Sequence, residues 1–162
     1  MELLGITKNG LYVYDRNDSH FHGEGGLTKD LLREAIEEIE FNKKVGSVRN
    51  IVVNMGRIVG TTSCVKLNPE DEVIYVYRKG RIGRTPMVKN REAEECGSIT
   101  VVLKRIRFDE AIMLTGYIGT GSPREPWDRS LSHKARYESI MFWKQHALVW
   151  NDDLIDWNRT KI

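Results

Sequence analysis

The stretch SITVVLKRIRFDEAIMLTGYI, residues 98–118, decides the fold class. Its two halves, Ser98–Arg107 and Ala111–Ile118, are rich in β-branched and apolar side chains and read with a period of two, as strands do. Asn50–Met55, Ile58–Leu67 and Glu72–Arg78 carry the same period, with turn chemistry at Asn68-Pro69-Glu70-Asp71 and Lys79-Gly80. A shorter strand-like run lies at Leu11–Tyr14.

Between these runs the period changes. Leu31, Leu32, Ala35, Ile36 and Ile39 recur at three- and four-residue spacing behind an N-cap at Thr28, with Glu34, Glu37 and Glu38 outside. A helix is expected to about Asn42, with Gly46 beyond its stop. Past the last strand, Gly119–Asp128 is a Gly/Pro-punctuated loop around a single Trp. A second helix is expected from Ser132 to about Leu148, its stripe formed by Tyr137, Ile140, Met141, Ala147 and Leu148 and widened by Phe142 and Trp143. The order predicts an α+β fold: an N-terminal helix packed on a curved antiparallel sheet of about four to six strands, with a C-terminal helix.

A chain of 162 residues is long enough to bury one core, so a single domain is expected. Its parts are a polar segment 1–26, a helix 27–43, a sheet 48–118, a loop 119–131, a helix 132–150 and a tail 151–162 that frays. With 40% hydrophobic and 30% charged residues the composition is globular rather than disordered. No apolar run approaches the ~20 residues of a membrane span. MELLGITKNG lacks a secretory pattern, so a cytoplasmic protein without a membrane partner is expected. Cys64 and Cys96 match no metal or redox spacing and are expected to be reduced; no cofactor is expected.

Charge is segregated. The whole chain carries only +2, yet RKGRIGRTPMVKNR, residues 78–91, holds six bases (Arg78, Lys79, Arg81, Arg84, Lys89, Arg91) and no acid. Such a segment marks an anion site, phosphate above all, although basic residues on a sheet edge also simply keep it soluble. Arg78 ends a strand face that is otherwise apolar, and Arg81 and Arg84 follow across a Gly turn. Guanidinium forks suit bidentate phosphate contacts. Lys104, Arg105 and Arg107 on a later strand would enlarge the patch.

Two other constellations bear on chemistry. His20 and His22, with Asp18 and Glu24 nearby, resemble half of a metal site, but no CxxC or HExxH completes it. A histidine ahead of a helix can equally serve as a general base beside an anion pocket, or be an ordinary loop residue. Thr115 and Tyr117 share one strand face, and Ser98, Thr100 and Lys104 share a face of the neighbouring strand. Hydroxyls so placed can orient a phosphate, though Thr and Tyr are also good strand formers. Trp127, Trp143, Trp150 and Trp157 are able to stack bases or to fill a core.

A leading helix, an antiparallel sheet carrying bases and hydroxyls, and histidines close by resemble the Barnase–EndoU–colicin–RelE-like ribonucleases, small domains used as toxins and phage nucleases. The stretch Asp71–Asp128, with Glu125-Pro126-Trp127-Asp128 and the following Phe142-Trp143-Lys144-Gln145-His146-Ala147-Leu148, also resembles uncharacterised bacterial proteins. The ribonuclease resemblance implies metal-independent RNA cleavage by attack of a ribose 2′-OH. It implies His20 or His22 as base, Arg78, Arg81 and Arg84 on the phosphorane charge, and Thr100, Thr115 or Tyr117 orienting the phosphate or protonating the leaving oxygen. Lys79, Lys89, Arg91, Lys104 and Arg107 would hold RNA, and an antitoxin or immunity protein would be the partner. Two other readings stand beside it: a non-catalytic nucleic-acid- or protein-binding module of a mobile-element or defence system, and a metal-dependent hydrolase at His20 and His22.

Overall fold

A computed structural model describes residues 1–16 and 24–161. His20 and His22 lie outside them. The described chain is α+β with mostly antiparallel sheets, and it forms two compact units, residues 1–62 with 95–121 and residues 63–94 with 122–162. In chain order the elements are β1 (Leu3–Ile6), β2 (Tyr12–Asp15), α1 (Lys29–Glu37), β3 (Val48–Asn54), β4 (Gly60–Thr62) and β5 (Cys64–Lys66). They continue with β6 (Val73–Tyr77), β7 (Arg84–Val88), β8 (Glu94–Cys96), β9 (Ser98–Arg107), β10 (Glu110–Ile118), α2 (His133–Gln145) and β11 (His146–Val149). The expected N-terminal helix is therefore preceded by two strands, and the single sheet is replaced by three: five strands, four strands and the ribbon β4–β8.

The first unit is built on residues 98–118. β9 and β10 form a long antiparallel hairpin inside a sheet of order β1-β2-β10-β9-β3, where only β2 and β10 run parallel. A bulge shifts the register between Met113 and Thr115: Met113 opposes Leu103 and Thr115 opposes Val102. The extra residue turns Met113 into the core and Thr115, two positions on, to the opposite face. α1 lays Leu32, Ala35 and Ile36 against Val13, Val53, Ile99, Val101, Leu103 and Met113, all buried.

Thr28 caps α1 as expected, its hydroxyl accepting from the Leu31 amide at 3.2 Å. The helix stops at Glu37, five residues short of the expected Asn42, because the β1–β2 turn supplies other backbone partners. Lys8 N–H donates to the Ile39 carbonyl at 2.8 Å, and the Asn9 amide clamps both the N–H and the carbonyl of Phe41 at 3.2 and 3.1 Å. Ile39 and Phe41 still reach the core, so the apolar spacing continues after the helix has ended.

The second unit is a sheet of order β5-β11-β7-β6, with β11 and β7 parallel. β7 contains Pro86, a residue poorly suited to a central strand. It is tolerated because pairing with β11 begins only at Met87. The expected second helix ends at Gln145 rather than near Leu148; His146–Val149 instead insert between β5 and β7, which buries Ala147 completely. Nor does the expected apolar stripe of α2 form the core contact: Tyr137, Ile140 and Met141 are exposed, and only Ser139 and Trp143 are buried.

Of the expected tail, residues 154–160 are tied to the sheet rather than loose. They cover the free edge of β6, with Lys79 N–H on the Leu154 carbonyl, Asp156 N–H on the Tyr77 carbonyl and Tyr77 N–H on Thr160 Oγ1. Ile155 is fully buried against Val76 and Met87. An edge closed in this way offers no ladder to another chain.

Candidate functional site

The basic segment folds as the β6–β7 hairpin, and its cations have divergent fates. Arg78 turns inward. Its guanidinium binds Glu125 through Nη2 and the Thr85 hydroxyl through Nε at 3.0 Å, and its side chain is only 20% exposed. Arg91 pairs with Asp71 at 2.7 Å and is 19% exposed. Lys89 sits 4.7 Å over the Trp150 ring. These three hold the unit together. Arg81 and Arg84 stand differently: they are exposed, and among the described residues their guanidiniums make no hydrogen bond. Lys79 is exposed as well.

Glu125 organises the cluster. It lies in the loop before α2, is 5% exposed, and has both carboxylate oxygens occupied. Arg78 donates to Oε1 and Trp127 Nε1 donates to Oε2 at 2.9 Å, while the Thr85 hydroxyl lies 2.7 Å from each oxygen. Trp127 Nε1 also faces the Arg84 carbonyl at 3.0 Å. A carboxylate this deep is stable only when paired and fully hydrogen-bonded, and it is. On the other side the loop is tied to α2: Arg136 donates to the Pro126 and Asp128 carbonyls at 2.9 and 2.8 Å, Ser139 to the Arg124 carbonyl, and Trp143 to the Pro123 carbonyl at 3.3 Å. Polar ties to this loop, rather than an apolar stripe, are what α2 contributes.

The latch sets Trp127 beside the β6–β7 turn. Gly83 lies so close that a Cβ there would come within 2.1 Å of the indole, so only glycine fits. Gly80, Arg81, Ile82, Trp127, Asp128 and Arg129 line an open cleft of about 340 Å³. Asp128 is the one acid in it. The Ser130 hydroxyl and backbone N–H, with Arg124 and Arg81 near, hold its carboxyl below the usual aspartate range. The cleft thus carries Arg81 and Arg129 against Asp128, with Arg84 bonded through its carbonyl to the same indole.

The hydroxyl constellation belongs to the other unit. Thr100 pairs with Tyr117 and Thr115 with Val102, so Thr100, Thr115 and Tyr117 do share one face of the five-stranded sheet. Thr100 is fully buried, however, and donates to the Gly119 carbonyl at 2.6 Å. Burial pushes the Tyr117 phenol up, against a smaller opposing effect of its hydrogen bond with Thr100. Lys104 and Arg107 are exposed, Arg107 pairing with Glu110 at 3.1 Å. The arginines and the hydroxyls that the sequence grouped therefore stand on separate sheets in separate units. Among the described residues no group of three His, Cys, Asp or Glu is placed to hold a metal.

No family model matches the chain, and no curated protein matches it. A crystal structure of a conserved hypothetical protein from Toxoplasma gondii ME49 is similar in fold, with a TM-score of 0.51 over 80% of this chain and 89% of that one. The two are 12% identical, so the likeness is one of fold alone.

Sequence reasoning found Arg81 and Arg84 but missed Glu125, Thr85, Gly83, Asp128 and Arg129. One signal was present: Glu125-Pro126-Trp127-Asp128 sets an aromatic ring between two acids in a Gly/Pro-punctuated loop. The partner of Glu125, Arg78, lies 47 residues away, and nothing local pairs the two.

Proposed function

We propose that this protein is a non-catalytic single-stranded RNA-binding module, with the Trp127 cleft as its contact surface. One observation carries the reading: Arg81 and Arg129, whose guanidiniums make no hydrogen bond among the described residues, line one open cleft with a fixed indole. Single-stranded nucleic acid is held by aromatic faces for bases and cations for phosphates, and this cleft offers both. Asp128 weakens a bare phosphate site, which favours a ligand with neutral and donor-bearing parts over inorganic phosphate. Cleavage is not part of the reading. Glu125 has both oxygens engaged, and Thr100 is already bonded to a carbonyl.

The test is binding of a short fluorescent RNA, in EDTA, across a salt series. Trp127→Phe and Trp127→Leu both lose the indole N–H, but only Phe keeps an aromatic face. Phe should retain most of the affinity, and Leu should lose about 1–3 kcal/mol, the usual worth of one stacked base. Arg81→Ala should lower the salt slope by about 0.7, one phosphate contact on a single strand. Equal affinities for the Phe and Leu variants would sink the proposal. RNA returned with 2′,3′-cyclic ends would replace it with the endoribonuclease reading.

A further inference from the structure

The β9–β10 hairpin ends in a feature that neither the core nor the cleft uses. Phe108, at its tip, is 84% exposed, the most exposed large apolar side chain among the described residues. The turn does not require it: Phe108 and Asp109 both keep negative φ, open to most side chains, and the ring's contact is with the Arg105 guanidinium, 5.8 Å from its centroid, which leaves most of it in water. Nor does the tip hang loose. The Arg105 guanidinium reaches three carbonyls, those of Arg107 at 3.3 Å, Lys43 at 2.8 Å and Phe108 itself. Its backbone is bonded as well, Gly46 N–H to the Arg105 carbonyl at 2.7 Å and Arg105 N–H to the Ser47 carbonyl at 3.0 Å. One arginine thereby locks the 43–47 turn to the hairpin tip.

What the lock presents is mixed in a particular way. Val45 is 56% exposed and Val48 42% exposed, so aliphatic surface accompanies the ring. Around them Lys43, Lys44 and Lys104 are exposed and, among the described residues, make no ion pair. Arg107 is neutralised by Glu110, which leaves Asp109 as the unpaired acid. The free cations here are lysines, whereas those of the cleft are arginines. Lysine is a flexible point charge suited to a diffuse anionic layer, while arginine forks suit individual phosphates.

We infer that this tip is a docking surface for an anionic lipid bilayer, Phe108 and Val45 entering the interface while Lys43, Lys44 and Lys104 reach the headgroups. Charge complementarity selects the occupant: lysines attract acidic headgroups, and the apolar pair needs a phase beneath them that is not water. A nucleic acid would offer the same charge but no apolar layer for an aliphatic valine. Such contact is peripheral and weak, with the rigid tip avoiding the ordering cost a mobile loop would carry. It involves no membrane-crossing segment, and no helix among the described residues is long and apolar enough to be one.

The experiment is co-sedimentation of the full chain with vesicles of phosphatidylcholine alone and of phosphatidylcholine with phosphatidylglycerol. Wild type should pellet only with the anionic vesicles. Phe108→Ser, a change at an exposed position that should leave folding intact by circular dichroism, should bind roughly tenfold more weakly. Lys43→Ala with Lys44→Ala should weaken binding by more than about tenfold at low salt. Arg81→Ala with Arg129→Ala, which disables the proposed RNA cleft, should bind vesicles as wild type does, so the two proposals fail separately. Equal pelleting of wild type and Phe108→Ser would overturn the inference. So would vesicle binding lost with Arg81 and Arg129, or RNA affinity that falls in Phe108→Ser while vesicles do not bind.

Discussion

Glu125→Ala is the sharpest test of the latch. The substitution leaves the Arg78 guanidinium and the Thr85 hydroxyl facing a gap. Removing one member of a buried ion pair costs about 3–5 kcal/mol, because the survivor is left uncompensated. Arg78 is 20% exposed, so water partly restores its solvation and places the cost at the lower end. Thr85 is fully buried and loses its acceptor, worth about 1 kcal/mol, while the Trp127 indole keeps the Arg84 carbonyl. The expected loss is about 4 kcal/mol. Glu125→Gln keeps the shape but sets an amide N–H against either the Trp127 N–H or the Arg78 fork, and about half that loss is expected. Urea unfolding followed by tryptophan fluorescence reads this unit selectively, since Trp127, Trp143, Trp150 and Trp157 all lie within it. Arg78→Ala and the double variant complete a cycle, and a coupling above about 1 kcal/mol is expected for groups in direct contact. If Glu125→Ala costs less than about 1 kcal/mol, or the two changes simply add, the network does not hold the loop and the reasoning is refuted.

Two further outcomes follow from neighbouring geometry. Gly83→Ala places a Cβ where the indole now sits, so it should shift Trp127 emission and lower RNA affinity together; an unchanged spectrum would mean the cleft is not shaped by that contact. Burial, with Glu125 near, pushes the Cys64 thiol up from 9.0 to about 11. The folded state therefore holds this proton more tightly, so the associated stability is complete below pH 9 and falls as pH rises through 11. At pH 8 native Cys64 should alkylate far more slowly than in urea, by peptide mass mapping; equal rates would contradict the burial.

Much of the secondary structure was legible because it is local. The β9–β10 hairpin, the Thr28 cap and the start of α2 each follow from spacing within a few residues. The end of α1 was not legible, since Asn9, 32 positions before Phe41, decides it. His146–Val149 carry a helix-compatible apolar pattern, and only the gap between β5 and β7 makes them a strand. Similarly, the exposed side chains on α2 look like a core stripe until the polar ties of Arg136 and Ser139 show which side faces inward.

The basic run illustrates the same division. Sequence alone determined that positive charge is concentrated between Arg78 and Arg91 on a nearly neutral chain, because charge is a property of residue type. Only tertiary structure decided which of those charges are available. Arg78 is drawn in by a buried carboxylate and Arg91 by Asp71, whereas the exposed Arg81 and Arg84 guanidiniums make no hydrogen bond or ion pair among the described residues, Arg81 only lying near Asp128. Pairing depends on distance in space, and residues 47 apart along the chain meet only after the sheet and its loop have folded.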